Sequence, residues 1–405
     1  MNLATVSFAY LRARALNTTL NVLLLALGIA TITLLLLTTS QLEERMQRDA
    51  RGIDLVAGAK GSPMQIILSS IYQLDVPTGN ISWMQAQELA RHRAVKKTIP
   101  LALGDNYRGH RIVGTHHDYV AHYGARLAQG RLWQAPLEAV LGAEVAAATG
   151  LALDATFVGA HGLSGREGEH MHETHPYRVV GLLAATGTVV DRVVLTDVSS
   201  LWAVHADQHD IKDVARIAEL LSDDEKELTA LLIQYASPLA AAMLPRYINQ
   251  NSAMQAASPA YETARLFTII GVGVDVLRAF ALVLILAAGL SVFIALYNAL
   301  LERRYDLAVM RTLGAGPGRL MALMLLEGLL LAGIGATLGI ALGHGLTEVV
   351  GMALTTAKQV AVTGWAWVPE ELWLIGLALA VGIVAALLPA WRAYRTDIAG
   401  TLARG

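Results

Sequence analysis

"LERRYDLAVMRTLGAGPGRL", residues 301–320, sets six charged side chains between Glu302 and Arg319. Before it the chain is uncharged from Ala279 to Leu301, and after it Leu320 to Leu346 carries one acid, Glu327. A charge at the middle of a bilayer is costly, so charges inside greasy sequence belong at a water boundary. The flanking runs therefore read as membrane helices, and the insert as a wet loop between them.

Two further stretches have the ~20 apolar residues that a bilayer core requires. One lies near Leu16 to Ser40, with no charge between Arg14 and Glu43, and the other is uncharged from Leu372 to Trp391. A signal peptide is the competing reading of the first. Its apolar run exceeds the usual ~7–15 residues, and no A-x-A site follows. Over 405 residues the chain is 54% hydrophobic and 16% charged, against about 25% charged in soluble domains. A net charge of −2 gives no general attraction to nucleic acid, and the absence of cysteine excludes disulfides and thiolate metal sites.

Basic residues near helix ends favour the cytoplasm. Arg12 and Arg14 precede the first span, Arg303, Arg304, Arg311 and Arg319 separate the second and third, and Arg392, Arg395 and Arg404 follow the fourth. Four crossings put all three groups on one side, which predicts cytoplasmic termini and a cytoplasmic loop at 302–319. Trp373 and Trp391 bracket the last span as interfacial aromatics do. The expected fold is an α-helical membrane protein with four transmembrane helices, one plus three, and a large extracytoplasmic α+β domain between the first and second. The expected boundaries are 1–42 for the N-terminal segment and first helix, 43–265 for the external domain, and 266–405 for the remaining helices.

Within 43–265, "RIVGTHHDYV", "PYRVVGLLAATGTVVDRVVLT" and "ATFVG" have β-branched runs bounded by Gly, Pro and Asp and read as strands. "SWMQAQELARHRAV" reads as a helix with Ser82 at its N-cap, and "EAVLGAEVAAATGLAL" as strand, turn and short helix. "DIKDVARIAELLSDDEKELTALLIQYA" predicts at least one amphipathic helix, and a break near 205–225 suggests two subdomains. From Ser258 a long helix is expected to run into the membrane, with Asp275 and Arg278 paired on one face.

No G-x-x-x-x-G-K-[ST] phosphate cradle, H-E-x-x-H or G-x-S-x-G elbow occurs, so the residues predict a non-catalytic chain. "LERRYDLAVMRTLGAGPGRLMALMLLEGLLL" and the ending "LPAWRAYRTDIAGTLARG" resemble the membrane subunits of MacB/FtsX-type ABC transporters, a group that includes the lipoprotein-releasing permeases. "DYVAHYGARLAQGRLW" and "EAVLGAEVAAATGLALDATF" resemble the MacB-like periplasmic domain. Asp306 stands where the family pattern has Glu, and Ile398 stands near the usual Pro. The resemblance implies a permease subunit in which ATP hydrolysis by a separate ATPase moves the periplasmic domain (mechanotransmission), for export or extraction of an envelope substrate. The alternative is an FtsX-like regulator of a cell-wall hydrolase. About 15 residues precede the first span, so the ATPase, with its ATP and magnesium, is expected in trans.

The resemblance also implies bacterial inner-membrane localisation and pairing with a second copy or a related permease. Contact with lipid, and with a periplasmic adaptor or substrate-binding protein, would accompany it. Glu302, Arg303, Arg304, Asp306 and Arg311 become candidate contacts of a coupling helix with the ATPase, with Leu307, Met310 and Leu313 as apolar anchors and Gly314 as terminator. Glu327 is expected near the cytoplasmic interface, in a structural or coupling role.

Gly335, Gly339 and Gly343 recur every fourth residue, a spacing that lets helix backbones approach, and are expected to face the second span or a symmetry mate. A different chemistry is suggested by "HGLSGREGEHMHETHPY". His161, His170, His172 and His175 are candidate metal ligands there, against the plainer reading of a solvated surface loop. A second histidine group, His110, His116, His117 and His122, lies upstream.

Overall fold

A computed structural model describes residues 3–162, 175–205, 216–358 and 362–395. The chain forms two compact units, Met1–Glu43 with Ile269–Gly405, and Glu44–Thr268.

A short helix, α1 (Leu3–Ala13), leads into α2 (Ala15–Ala50), whose apolar part carries threonines. Thr31 and Thr39 donate their hydroxyls to the carbonyls of Leu27 and Leu35 one turn back, at 2.8 and 2.6 Å, so the helix itself satisfies them.

The unit Glu44–Thr268 follows as β1 (Leu55–Ala59), α3 (Pro63–Ser70), β2 (Ile81–Ser82), α4 (Trp83–Ala90), β3 (Val95–Tyr107), β4 (His110–Thr115) and α5 (His117–His122). It continues through β5 (Leu127–Gly130), β6 (Glu138–Leu141), α6 (Ala143–Thr149), β7 (Thr156–Phe157), β8 (Ala160–His161), β9 (Tyr177–Leu183), β10 (Val194–Asp197) and α7 (Val198–His205). It closes with α8 (Ile217–Leu220), β11 (Glu227–Leu228), β12 (Ala230–Tyr235), α9 (Ala240–Asn251) and β13 (Met254–Ala257). Nine strands run in the order β13-β1-β12-β3-β4-β10-β6-β9-β5, with β7 on β9 and β8 on β3. The β4–β10 and β6–β9 pairs are parallel, and the other pairs in this sheet are antiparallel. The 13-residue β3 is long enough to pair with β12 along one half and β4 along the other, which carries one sheet through the unit.

Two segments differ from their sequence reading. "RIVGTHHDYV" is a strand only through Thr115, after which α5 begins. "TALLIQYA" is not helical: it holds β12, flanked by β1 and β3. Ala230 to Ile233 are all buried, so β12 lacks the alternation that marks a half-buried strand. Among the described residues, the helix of this stretch is the four-residue α8, and 210–215 lie outside them.

The other unit resumes in α10 (Pro259–Glu302), followed by α11 (Arg304–Thr312), α12 (Pro317–Lys358) and α13 (Glu371–Tyr394). Among the described residues α2, α10, α12 and α13 are long and apolar enough to cross a membrane, the one-plus-three arrangement expected from the sequence. Their core joins Leu25 and Ile29 of α2, Ile285 and Ala288 of α10, Ala332 and Ala336 of α12, and Leu374 and Ala378 of α13. Small residues among these let the backbones approach, which is how helices associate where lipid removes the hydrophobic drive.

Candidate functional site

The charged insert folds as α11 between two breaks. Arg303 ends the preceding helix at φ −99°, ψ 10°, and Gly314 adopts φ +95°, a backbone that glycine tolerates best. Pro317, at the first position of α12, has no N–H to leave unsatisfied.

The residues of the insert divide by face. Leu307 and Ala308 are buried, and Leu307 packs with Leu300, Leu320, Leu323, Met324, Ala390 and Ala393. Met310, half-buried, packs on the same cluster. Arg304, Asp306 and Gly314 are exposed, as are Tyr305 at 52% and Leu313 at 83%. Arg311 is intermediate.

Two candidate contacts turn inward instead. Arg303 is buried and donates from Nη1 to Glu327 Oε1 at 3.1 Å, while its guanidinium stacks 3.6 Å from the Tyr10 ring centroid. Standing at the break between α10 and α11, Arg303 ties it to α12 and α1. Leu307 is likewise an anchor into its own bundle, not outward. Glu302 is exposed but ion-paired with Arg14. The sequence reading missed Tyr10 and took Arg14 only as a basic flank of the first span, since neither lies in a motif and both approach only through folding. Tyr305 was also missed, although an aromatic between two charged residues in a wet segment is itself a signal.

The glycine stripe packs, but on α2, not on the second span. A Cβ on Gly335 would lie 2.8 Å from Leu25, on Gly339 2.6 Å from Ile29, and on Gly343 2.5 Å from Thr33. A reciprocal pair joins α12 to α13: a Cβ on Gly328 would meet the Gly382 carbonyl oxygen at 2.8 Å, and a Cβ on Gly382 the Gly328 oxygen at 2.8 Å. At the far end of α12, His344 contacts the Gly364 carbonyl at 2.5 Å and Glu371 Oε2 at 2.9 Å. Glu348 Oε2 accepts the Gly364 N–H at 2.7 Å and the Thr363 hydroxyl at 2.9 Å. Gln41 exchanges two hydrogen bonds with the Thr363 backbone, at 2.8 and 3.0 Å, tying the end of α2 to this loop.

Of the candidate metal ligands, His170 and His172 lie outside the described residues, and His175 precedes β9. His161 is grouped with Asp105 and His205. The upstream histidines do not form a group. His110 Nδ1 approaches the Arg192 carbonyl at 3.4 Å, His116 packs edge-on to Trp83, and His117 Nε2 contacts the Trp133 carbonyl at 2.9 Å. Burial holds His110, His116 and His122 below the ordinary histidine pKa, which favours the neutral ring.

Residues 18–242 match the family model of the MacB-like periplasmic core domain, and residues 278–398 that of the FtsX-like permease C-terminal domain. The macrolide export ATP-binding/permease protein MacB of Syntrophobacter fumaroxidans is 26% identical over 121 residues, 30% of this chain and 16% of that protein. This chain thus aligns with less than a fifth of the length of that curated relative. Among solved structures, the periplasmic region of MacB from Actinobacillus actinomycetemcomitans gives a TM-score of 0.35 at 11% identity, covering 55% of this chain and 97% of that one. The extracellular domain of the noncanonic ABC-type transporter YknZ from Gram-positive bacteria gives 0.30 at 12%, covering 51% and 99%.

Proposed function

Because this chain belongs to the MacB/FtsX-type ABC transporter permeases, we propose that it is the subunit that turns ATP hydrolysis by a partner ATPase into movement of its periplasmic domain. The observation that carries this is the two-faced α11. One face is pinned to the bundle by Leu307 and by the Arg303–Glu327 pair, while Arg304, Tyr305, Asp306 and Leu313 stay exposed. A helix fixed on one side and bearing a planar cation, an aromatic and a large exposed aliphatic on the other suits docking into a groove of a second protein. The basic residues near both termini and in this segment support a cytoplasmic α11, on the side where the ATPase acts. The substrate is one handled at the outer face of the bacterial inner membrane, and the working unit is a pair of permeases, each with its ATPase.

The exposed face offers a clean test. Arg304→Glu combined with Leu313→Asp changes side chains that do not hold the bundle together. Copurification of the ATPase should drop at least tenfold, with the chain still folded in detergent. Undiminished copurification would overturn the assignment of α11 as the docking element.

A further inference from the structure

His161, a candidate ligand grouped by the sequence with His170, His172 and His175, belongs to a different arrangement. His161, in the two-residue β8, pairs across from Asp105 of β3, and His205 arrives at the end of α7. Three segments far apart in the chain thus deliver one ligand-bearing atom each. His161 Nδ1 lies 3.5 Å from Asp105 Oδ1, His205 Nε2 lies 3.4 Å from the same oxygen, and the two ring nitrogens are 3.4 Å apart. Asp105 is fully buried, and the imidazoles are partly exposed.

The local construction favours this meeting. The β3–β4 register shifts between Leu103 and Asp105, an irregularity of the kind that re-aims a side chain. A Cβ on the intervening Gly104 would come within 3.0 Å of His205 Cε1, so glycine leaves the room that the ring occupies. His205 Nδ1 lies 2.8 Å from the Leu201 carbonyl oxygen. A carbonyl can only accept, so Nδ1 carries the proton and a neutral ring turns the lone pair of Nε2 toward Asp105 and His161. This is the backbone-to-histidine hydrogen bond that fixes the tautomer of a metal-binding imidazole.

A carboxylate oxygen and an imidazole lone pair held at this distance repel unless something positive sits between them. Zinc bonds nitrogen and oxygen at about 2.0–2.2 Å, and a tetrahedron of that size sets its donors about 3.4 Å apart. The three observed separations are the edges of one face of such a tetrahedron. His161 and His205 also line a cavity of about 480 Å³, together with Glu225 and Glu227, whose carboxylates add negative charge.

We propose that Asp105, His161 and His205 bind a divalent transition-metal ion of the zinc type in the external domain, with the fourth position open to water or to a donor group of an incoming ligand. Two nitrogens and one carboxylate oxygen suit zinc and its first-row neighbours better than calcium or magnesium, which take oxygen shells. The site lies inside one folded unit and does not rest on the coupling role of α11.

The test uses the full chain in detergent, stripped with EDTA, with zinc titrated against a chromogenic chelator. One tight equivalent per chain is expected. His161→Ala and His205→Ala should each weaken it at least tenfold, and Asp105→Asn likewise. The two histidines are partly exposed, so unchanged melting of their metal-free variants separates lost ligation from lost folding. Substituting His170, His172 and His175 together by alanine should leave the tight equivalent in place. The proposal is overturned if the wild-type chain yields all its zinc to the chelator, as it would were a proton on His161 the only bridge. It is equally overturned if His205→Ala binds as wild type, or if the loop triple variant abolishes the tight site.

Discussion

Glu138, the first residue of β6, is almost fully buried and takes four hydrogen bonds. Arg131 donates to both of its oxygens at 2.6 and 2.5 Å, Arg178 Nη2 to Oε1 at 3.1 Å, and the Gln134 N–H to Oε2 at 2.8 Å. The hydrogen bonds from Arg131, joined by those from Gln134 and Arg178, hold its carboxyl down at about 2, against the pull of burial. A folded-state pKa below the unfolded one gives stability that is present above the ordinary carboxylate range and is lost as the pH falls toward 2. Glu138→Gln should therefore cost about 1–3 kcal/mol at pH 7. In thermal melts, the gap between variant and wild type should narrow at pH 3. A gap that stays constant with pH would show that the ionised carboxylate is not what stabilises. At the same scale, Arg303 shows what a sequence hides. Its charge is plain in "LERRYD", but the buried Glu327 that receives it stands 24 residues on. Nothing in the spacing tells Arg303, turned inward, from Arg304, which is exposed.

At the scale of elements, the membrane helices were legible because their signal is cumulative: a score of uncharged residues outweighs any local preference. β12 was not, since an uninterrupted apolar run fits a buried strand and a buried helix alike, and only its flanking strands decide. The glycine stripe was readable as a packing face, but not its partner, because spacing reports closeness without saying to what. The contacts on α2 make a sharp expectation. Gly339→Ala would put a Cβ 2.6 Å from Ile29 Cβ and 2.8 Å from the Ala26 carbonyl oxygen, so the helices must separate. Overpacking of this kind costs about 1–3 kcal/mol. Gly345→Ala, where nothing lies within 4 Å, supplies the matched control in the same helix. Thermal stability in detergent should drop for the first and hold for the second, and equal shifts in the two would contradict close packing of α12 on α2.

At the scale of the whole molecule, the sequence conveyed the order of parts, because charge and hydropathy are written along the chain. The triad at Asp105, His161 and His205 was invisible apart from one member, because it exists only once β3, β8 and α7 have assembled. The boundary between the two units falls inside the unbroken α10, at Thr268 and Ile269. Each unit has its own buried cluster, around Leu55, Ile112, Val194 and Ile233 in one and Leu25, Ile285, Ala332 and Ala378 in the other. Breaking α10 just past the boundary should therefore spare both cores and remove only what depends on the helix being continuous. Val272 is suited to this, being 67% exposed, with open space around the neighbouring Gly271 and Gly273. Proline there removes a backbone hydrogen bond and kinks the helix at a cost of roughly 3 kcal/mol. Because the chain has no cysteine, one thiol introduced on the surface of Glu44–Thr268 is a unique label for the proposed movement. In the complex with the ATPase, Val272→Pro should keep both folded cores and ATPase copurification yet lose the ATP-dependent change in labelling rate, while Val272→Ala retains it. If the proline variant still answers to ATP, the stroke does not pass along α10, and α2, the other helix that crosses the boundary, becomes the element to break.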